Sequence, residues 1–516
     1  MRSYTVVYDS ILSFHMLPVD EINRAKSVLI QIFSTHQSWL TAEKIAQEAK
    51  LFFPKAVVCG VNTYANITPD KALEKGTILS ILTFETVQIA STFMEEFREE
   101  ESFRAGAAMA KKCCRKDTKA VLLFCDPFET DPARLADGVV SVCGDIPVTG
   151  LFATDRHAVS GIYLLHDDRS FEKGALLVAL SGERLDVSQR SFRRVKKTGP
   201  KLRVDDAEGC RLIGLEGTNA AETLRRYLGE DYLQNLPLSS YEIALAATEG
   251  DGEIASILEI SDAGAIRLTT APEIGSTWRF AYPDDGTSYA FCFPTHAGKA
   301  KTEAYLMYAD LSRSLNPDGS LHEEVALLGD RAPVAGALGY AVFYRENGRN
   351  PRPNTHATTI LAFTERSETA DRDLPACVTI TVPKREEAST LSKALASMAE
   401  KVIEDSALER MALHLLMEES EEARLLYDVS LRLHSANHIA QRILALDTKL
   451  AGGTDLTGLD PWIVETLRQG LEKKIYTRLG KVLDPLSGAY MQLEVTVKTL
   501  LAEDEAIGAL ATFRKV

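Results

Sequence analysis

The chain has 516 residues, of which 45% are apolar, 25% charged and 7% aromatic. That length exceeds one hydrophobic core and predicts two to four domains, and the composition excludes a largely disordered protein. The 73 acidic and 58 basic side chains leave a net charge of −15, which disfavours nucleic acid or an anionic membrane as partner.

No apolar run reaches the roughly 18 residues of a membrane span, and Asp9 cuts the first apolar stretch before it could serve as a signal peptide. A cytoplasmic location is therefore expected. Along the chain, Ser27 to Phe33 reads as a buried strand by its length and β-branched content. A helix follows from about Thr41 to Phe52, with Ile45, Ala49 and Phe52 on one face and Pro54 ending it. Ala56 to Gly60 is a second strand, which completes a βαβ unit. The pattern recurs in strand Lys119 to Cys125, helix Pro132 to Val140 and strand Ile146 to Phe152. Strands are also predicted at Ile78 to Phe84 and Ala175 to Leu180.

Arg190 to Arg203 holds seven basic residues in fourteen. It reads either as a phosphate site or as a solvated crossover loop, and Asp205, Asp206 and Glu208 favour the loop. A helix from Thr218 carries Leu224, Tyr227 and Leu228 and stops at Gly229. Strands continue to Phe363, Ser367 to Pro375 reads as a linker, and Cys377 to Val382 as one further strand. A helical stripe is then expected, in Leu391, Leu395, Met398, Val402, Leu408, Met411 and Leu415, extended by Leu425, Val429 and Leu433. Such a stripe points to a packing seam, expected to join two copies through residues 385–450.

The eight cysteines predict no disulfide framework. Cys59, Cys125, Cys143 and Cys377 read as small buried hydrophobes. Cys113 and Cys114, flanked by Lys112 and Arg115, are either a redox-sensing thiol or a plain helix end. Catalytic signatures are missing: there is no P-loop, no Gly-x-Ser-x-Gly elbow and no Cys-x-x-Cys. The second zinc ligand after His322 would fall on Ala326. The chain is therefore not expected to be an enzyme.

Several motifs carry a resemblance. Gly60-Val-Asn-Thr-Tyr-Ala-Asn-Ile67, Thr77 to Thr86 and Val148-Thr-Gly-Leu-Phe-Ala-Thr-Asp155 resemble the N-terminal half of the FIST family. Gly217 to Glu230, Pro333 to Tyr340 and Thr355 to Phe363 resemble its C-terminal half. The resemblance implies a mixed α/β, two-part sensor, with residues 1–205 and 206–366 as the halves, 367–384 as linker and strand, and 385–516 as a helical signalling region. It further implies a bacterial, cytoplasmic module that binds a small molecule and passes the signal to a downstream protein. The family's Gly-Glu pairs are Ala65-Asn66 and Ala341-Val342 here, and its Ser-Cys pair ahead of Arg313 is Ala309-Asp310. These departures imply a ligand different from that of relatives, or none. Asp484-Pro-Leu-Ser-Gly-Ala-Tyr490 resembles the opening of a GGDEF output domain, but Met491-Gln492 departs from it. The alternative is a simple helical turn.

Ligands of α/β units gather in the loops after strands. Asn62, Thr63, Tyr64, Asn66, Asp155, Arg156 and Tyr340 are therefore the candidate ligand residues, with Arg156 supplying charge-assisted bonds. No cofactor is expected. A haem-based nitric oxide sensor is one alternative, with His157 or His356 as axial ligand. A scaffold with a decayed pocket is another.

Overall fold

Ser27–Ser34, Trp39–Phe52 and Val57–Asn62 form the predicted strand–helix–strand unit, with the strands parallel and Ile45, Ala46 and Ala49 of the helix buried. The computed structural model describes all residues except 37, 155–160, 249–252, 285–287, 297–300, 316–319, 345–349, 366–374, 382–396, 400, 402–419, 421, 447–454, 484–487 and 503–504. The mixed α/β class is as expected. Two compact units are present, residues 1–399 and 400–516.

The first compact unit contains one arrangement three times. In the first copy, Arg2–Tyr8 pairs antiparallel with Thr77–Phe84, which pairs antiparallel with Ser27–Ser34, which pairs parallel with Val57–Asn62. In the second copy the same order runs Gln88–Glu95, Gly174–Ser181, Thr118–Cys125 and Val148–Thr149. In the third it runs Asp186–Arg193, Ala357–Thr364, Ala304–Asp310 and Val334–Gly339. A helix links the two parallel strands each time: Trp39–Phe52, Pro132–Cys143 and Ser320–Gly329.

The three copies exchange chain segments in a ring. Ala65–Ile67, which follows the first copy's last parallel strand, pairs with Val334–Gly339 of the third. Val342 of the third bridges Leu151 of the second, and Phe343 donates its N–H to the Gly150 carbonyl at 3.2 Å. Leu164–His166 of the second pairs with Val57–Asn62 of the first. The edge beside each last parallel strand is thus met by a segment of another copy.

Residues between Arg193 and Ala304 are an insertion in the third copy. The basic run expected to be a loop is instead strand, Asp186–Arg193 followed by Val195–Glu208. Pairing with Thr277–Pro283 and Arg211–Leu215 takes up its backbone, so its cations alternate along a sheet and do not cluster in a solvated turn. The outermost strands of this eight-stranded sheet, Ile254–Ala255 and Ile257–Ile260, flank the buried Ser256 and are consecutive in the chain. The sheet is therefore rolled. Its core includes Leu202, Leu212, Leu224, Trp278 and Met398. Met398, expected in a seam between copies, fills this core; the other stripe positions from Leu391 to Leu415 lie outside the described residues.

The second compact unit is a five-stranded antiparallel sheet in the order Leu433–Ala436, Ala423–Asp428, Glu505–Lys515, Tyr490–Ala502, Ile475–Leu483, with helices His438–Leu444 and Pro461–Leu471. The expected helical character fails for its described residues. Leu425, Val429 and Leu433 are four apart, yet burial alternates through Ala423, Leu425 and Tyr427 with period two, and Val429 is exposed. Residues 484–487 of the GGDEF-like stretch lie outside the described residues; on either side, Leu483 pairs with Tyr490.

Cys292 and Cys377 form a disulfide between adjacent strands, which corrects the expectation of thiols only, and Cys377 is exposed, not buried. The residues are 85 apart in sequence, so spacing gives no hint of the pairing. Among the described residues, no helix is long and apolar enough to cross a membrane.

Each copy carries a glycine where its two parallel strands touch. A Cβ on Gly60, Gly150 or Gly336 would strike the carbonyl of Ile32, Leu123 or Met307 respectively. Gly336→Ala is expected to destabilise the first unit by about 1–3 kcal/mol, as overpacked core positions do, measured by denaturant unfolding.

Candidate functional site

The exchange ring gathers most of the residues expected to bind ligand, and it buries them. The Asn62 side chain accepts from the Tyr163 N–H at 3.0 Å and donates to the Gly161 carbonyl at 2.9 Å. Thr63 donates to Asn66 Oδ1 at 2.7 Å, and Asn66 Nδ2 donates to the Gly76 carbonyl at 3.0 Å. Tyr64 donates its N–H to the Leu338 carbonyl. Tyr340 is buried, its ring stacked 6.4 Å from Tyr241, whose hydroxyl donates to the Tyr340 carbonyl at 2.7 Å. Both asparagine amides hold chain crossings in place. Asp155, Arg156 and His157 lie outside the described residues; Thr154, just before them, donates its N–H to the Asn62 carbonyl. Ala341 and Val342 are fully buried in the exchanged segment.

His356 is 3% exposed, in a left-handed turn beside Ala357. It lines neither cleft described below, and a haem needs an open face beside its axial imidazole. The residues around His356 do not fit that group.

Asp310, which stands where the family has cysteine, is the buried acid of the ring. It accepts from the Ser312 hydroxyl at 2.8 Å and from the Ala357 N–H at 3.2 Å. Burial outweighs these bonds and pushes its carboxyl up to about 6. A raised carboxyl stabilises the fold fully below its unfolded value near 3.9, and the contribution is lost as pH rises through about 6. Asp310→Asn is expected to remove this loss, flattening the fall in stability between about pH 4 and pH 7 by an amount of order 2 kcal/mol. Denaturant unfolding at several pH values measures it.

Two clefts open elsewhere. A cleft of about 760 Å³ lies between the amino end of the helix Pro132–Cys143, the rolled sheet, and the end of the third copy. Asp131, Arg134 and Asp137 form one wall, Glu253, Thr270, Glu273 and Trp278 a second, and Arg193, Tyr344, Arg352 and Asn354 a third. Arg352 clamps two walls: its Nη1 is 2.7 Å from Asp137 and its Nε 3.6 Å from Glu253. Arg193 donates to Asn354 at 3.1 Å, with its guanidinium 5.2 Å from the Tyr344 ring centre. Burial pushes the Glu253 carboxyl up, and Arg352 offsets part of that. A second cleft, of about 790 Å³, lies beside Met1 to Tyr4 and Glu303.

Beside Asp131 of the cleft wall, single atoms of Glu99, Asp131 and Cys210 lie within 4.8 Å of one another. Burial pushes the Cys210 thiol well above its usual range, and Asp131 adds to this, so it stands as a neutral thiol. The positive charge comes from Arg267, which is 2% exposed. Its guanidinium pairs with Glu99 at 2.5 Å and donates to the Thr130 carbonyl at 2.7 Å, joining the rolled sheet to the second copy. The cluster is thus an ion pair around a thiol. Arg267→Leu strands Glu99 and is expected to cost about 3–5 kcal/mol, measured by denaturant unfolding.

Of the cleft residues, only Arg193 belonged to a stretch that stood out in the sequence, the basic run. The others are ordinary charges far apart in the chain, and no local signal marks them.

Residues 28–218 match the model of the FIST N domain. That stretch is similar to a FIST N domain. The match begins after the opening strand of the first copy and runs through the rest of the first two copies, the opening strand of the third and the start of the insertion. No curated protein matches the chain. Among solved structures, the PAS domain of a protein from Colwellia psychrerythraea is 16% identical with a TM-score of 0.18, covering 21% of this chain and 97% of that one. A PAS domain from a two-component sensor histidine kinase is 18% identical with a TM-score of 0.19, covering 22% and 99%. The PAS domain of an HTR-like protein from Haloarcula marismortui is 21% identical with a TM-score of 0.18, covering 23% and 98%.

Proposed function

We propose that this chain is a cytoplasmic sensor, not an enzyme, which binds a small charged molecule in the cleft between its FIST N domain and the rolled sheet. The observation that carries this reading is the cleft's construction. Three separate parts of the fold contribute walls, and Arg352 holds two of them together through Asp137 and Glu253. A ligand that competes for Arg352 changes how the walls meet, and it acts through its unequal affinity for the two arrangements. Carboxylates and guanidiniums face the same space, which suits a molecule carrying both charge signs or several polar groups. No histidine, cysteine or lysine is among the described lining residues, and Thr270 donates its hydroxyl to the Glu253 carboxylate at 3.2 Å, so the cleft is rich in groups that bind by hydrogen bonds and charge. Residues 400–516, a downstream signalling protein and a second copy of the chain are the expected recipients of the signal.

A thermal-shift screen with amino acids, dicarboxylates and polyamines as probes tests the reading. A probe that stabilises the wild type is expected to bind Arg352→Ala more weakly by about 1.5–3 kcal/mol, the range for a bond to a charged group. Loss of binding in Arg156→Ala, with Arg352→Ala unaffected, would instead put the site at the loop first suggested by the sequence.

A further inference from the structure

In each copy the opening strand stands at the end of its sheet: Arg2–Tyr8, Gln88–Glu95 and Asp186–Arg193. The second cleft runs beside the first of these. Its lining takes in Met1, Arg2, Ser3 and Tyr4 in succession. Successive residues of a strand point to opposite faces, so a cleft lined by all of them passes the strand's edge, where backbone N–H and C=O groups lie. Most of the remaining lining is consecutive chain too. Lys301 to Glu303 lead into Ala304–Asp310, and Arg331 to Pro333 lead into Val334–Gly339. The cleft is a slot between extended stretches of backbone.

We propose that this slot takes up an extended acidic segment of a partner protein, which pairs with Arg2–Tyr8 as an added strand. An edge strand offers a row of backbone donors and acceptors, and such a row is a template for strand addition. Ser3 Oγ and Thr5 Oγ1, on one face of Arg2–Tyr8, are buried without a hydrogen-bond partner. A serine or threonine opposite them on the added strand supplies one.

Charge selects the partner. The whole chain carries −15, yet the cleft lining holds Arg2, Arg184, Lys301 and Arg331 against Glu21, Glu85 and Glu303. Glu21 is engaged by Arg2 and accepts from the Tyr4 hydroxyl at 3.1 Å, and Glu303 accepts from the Glu365 N–H at 2.7 Å. Arg331 donates to the Pro375 carbonyl at 2.6 Å and lies over the Phe293 ring. Arg184 and Lys301 are exposed, with no side-chain hydrogen bond or ion pair among the described residues. These two cations are open to carboxylates of an incoming strand. A second copy's Arg2–Tyr8 has no acidic side chain to offer them.

The test is fluorescence anisotropy of the full chain with a fluorescein-labelled hexapeptide alternating threonine and glutamate. Binding is expected, and the double variant Arg184→Glu, Lys301→Glu is expected to bind at least about tenfold more weakly. Successive N–H groups of a strand point to opposite edges. N-methylation at every threonine therefore strips one edge of the peptide, and at every glutamate the other. At least one methylated peptide is expected to lose binding by about tenfold or more. If both bind as tightly as the parent, charge alone holds the complex and the proposal fails. No binding of the parent peptide overturns it, as does equal binding by the double variant. A dimer in light scattering that the peptide splits into monomers also overturns it, because the edge then belongs to a second copy.

Discussion

The ring of exchanged segments constrains most of the first compact unit. A small sheet ending in a parallel strand exposes a row of N–H and C=O groups, which must be paired or covered. Here the segment after each last parallel strand crosses to another copy, so every copy covers an edge that is not its own. Backbone must pass close to backbone at these crossings. That explains the recurrent glycine opposite Ile32, Leu123 and Met307, and the burial of the polar side chains beside it. Asn62 and Asn66 serve the crossings as hydrogen-bonding struts, each linking its own segment to another stretch of backbone.

How far the sequence revealed this depended on the range of the interactions. The βαβ units were legible because their signals are local: β-branched runs of strand length, an apolar helix face, Pro54 as a stop, Pro132 as a start. The threefold repetition was not. Its copies share topology with little sequence likeness, and the third is interrupted by the insertion after Arg193. The C-terminal strands were misread because Leu425, Val429 and Leu433 fit a helical period by position alone. Only the intervening Ala423 and Tyr427, buried on the same face as Leu425, disclose the period of two.

The candidate site was legible in its kind and not in its place. Reasoning from strand ends led to the ring, where polar residues do gather, but the exchange consumes their hydrogen bonds. The cleft draws Asp131 and Asp137 from the second copy, Glu253 from the insertion, and Arg193 and Arg352 from the third copy. Arg267 helps to bring them together by fastening the rolled sheet to the loop before the helix Pro132–Cys143. Such an ion pair is poorly replaced by either partner alone, since removing one leaves the other buried and uncompensated. This buried clamp therefore differs in kind from Arg352, which lines the cleft. Arg352 is about a third exposed and pairs with two acids that a polar ligand can reach.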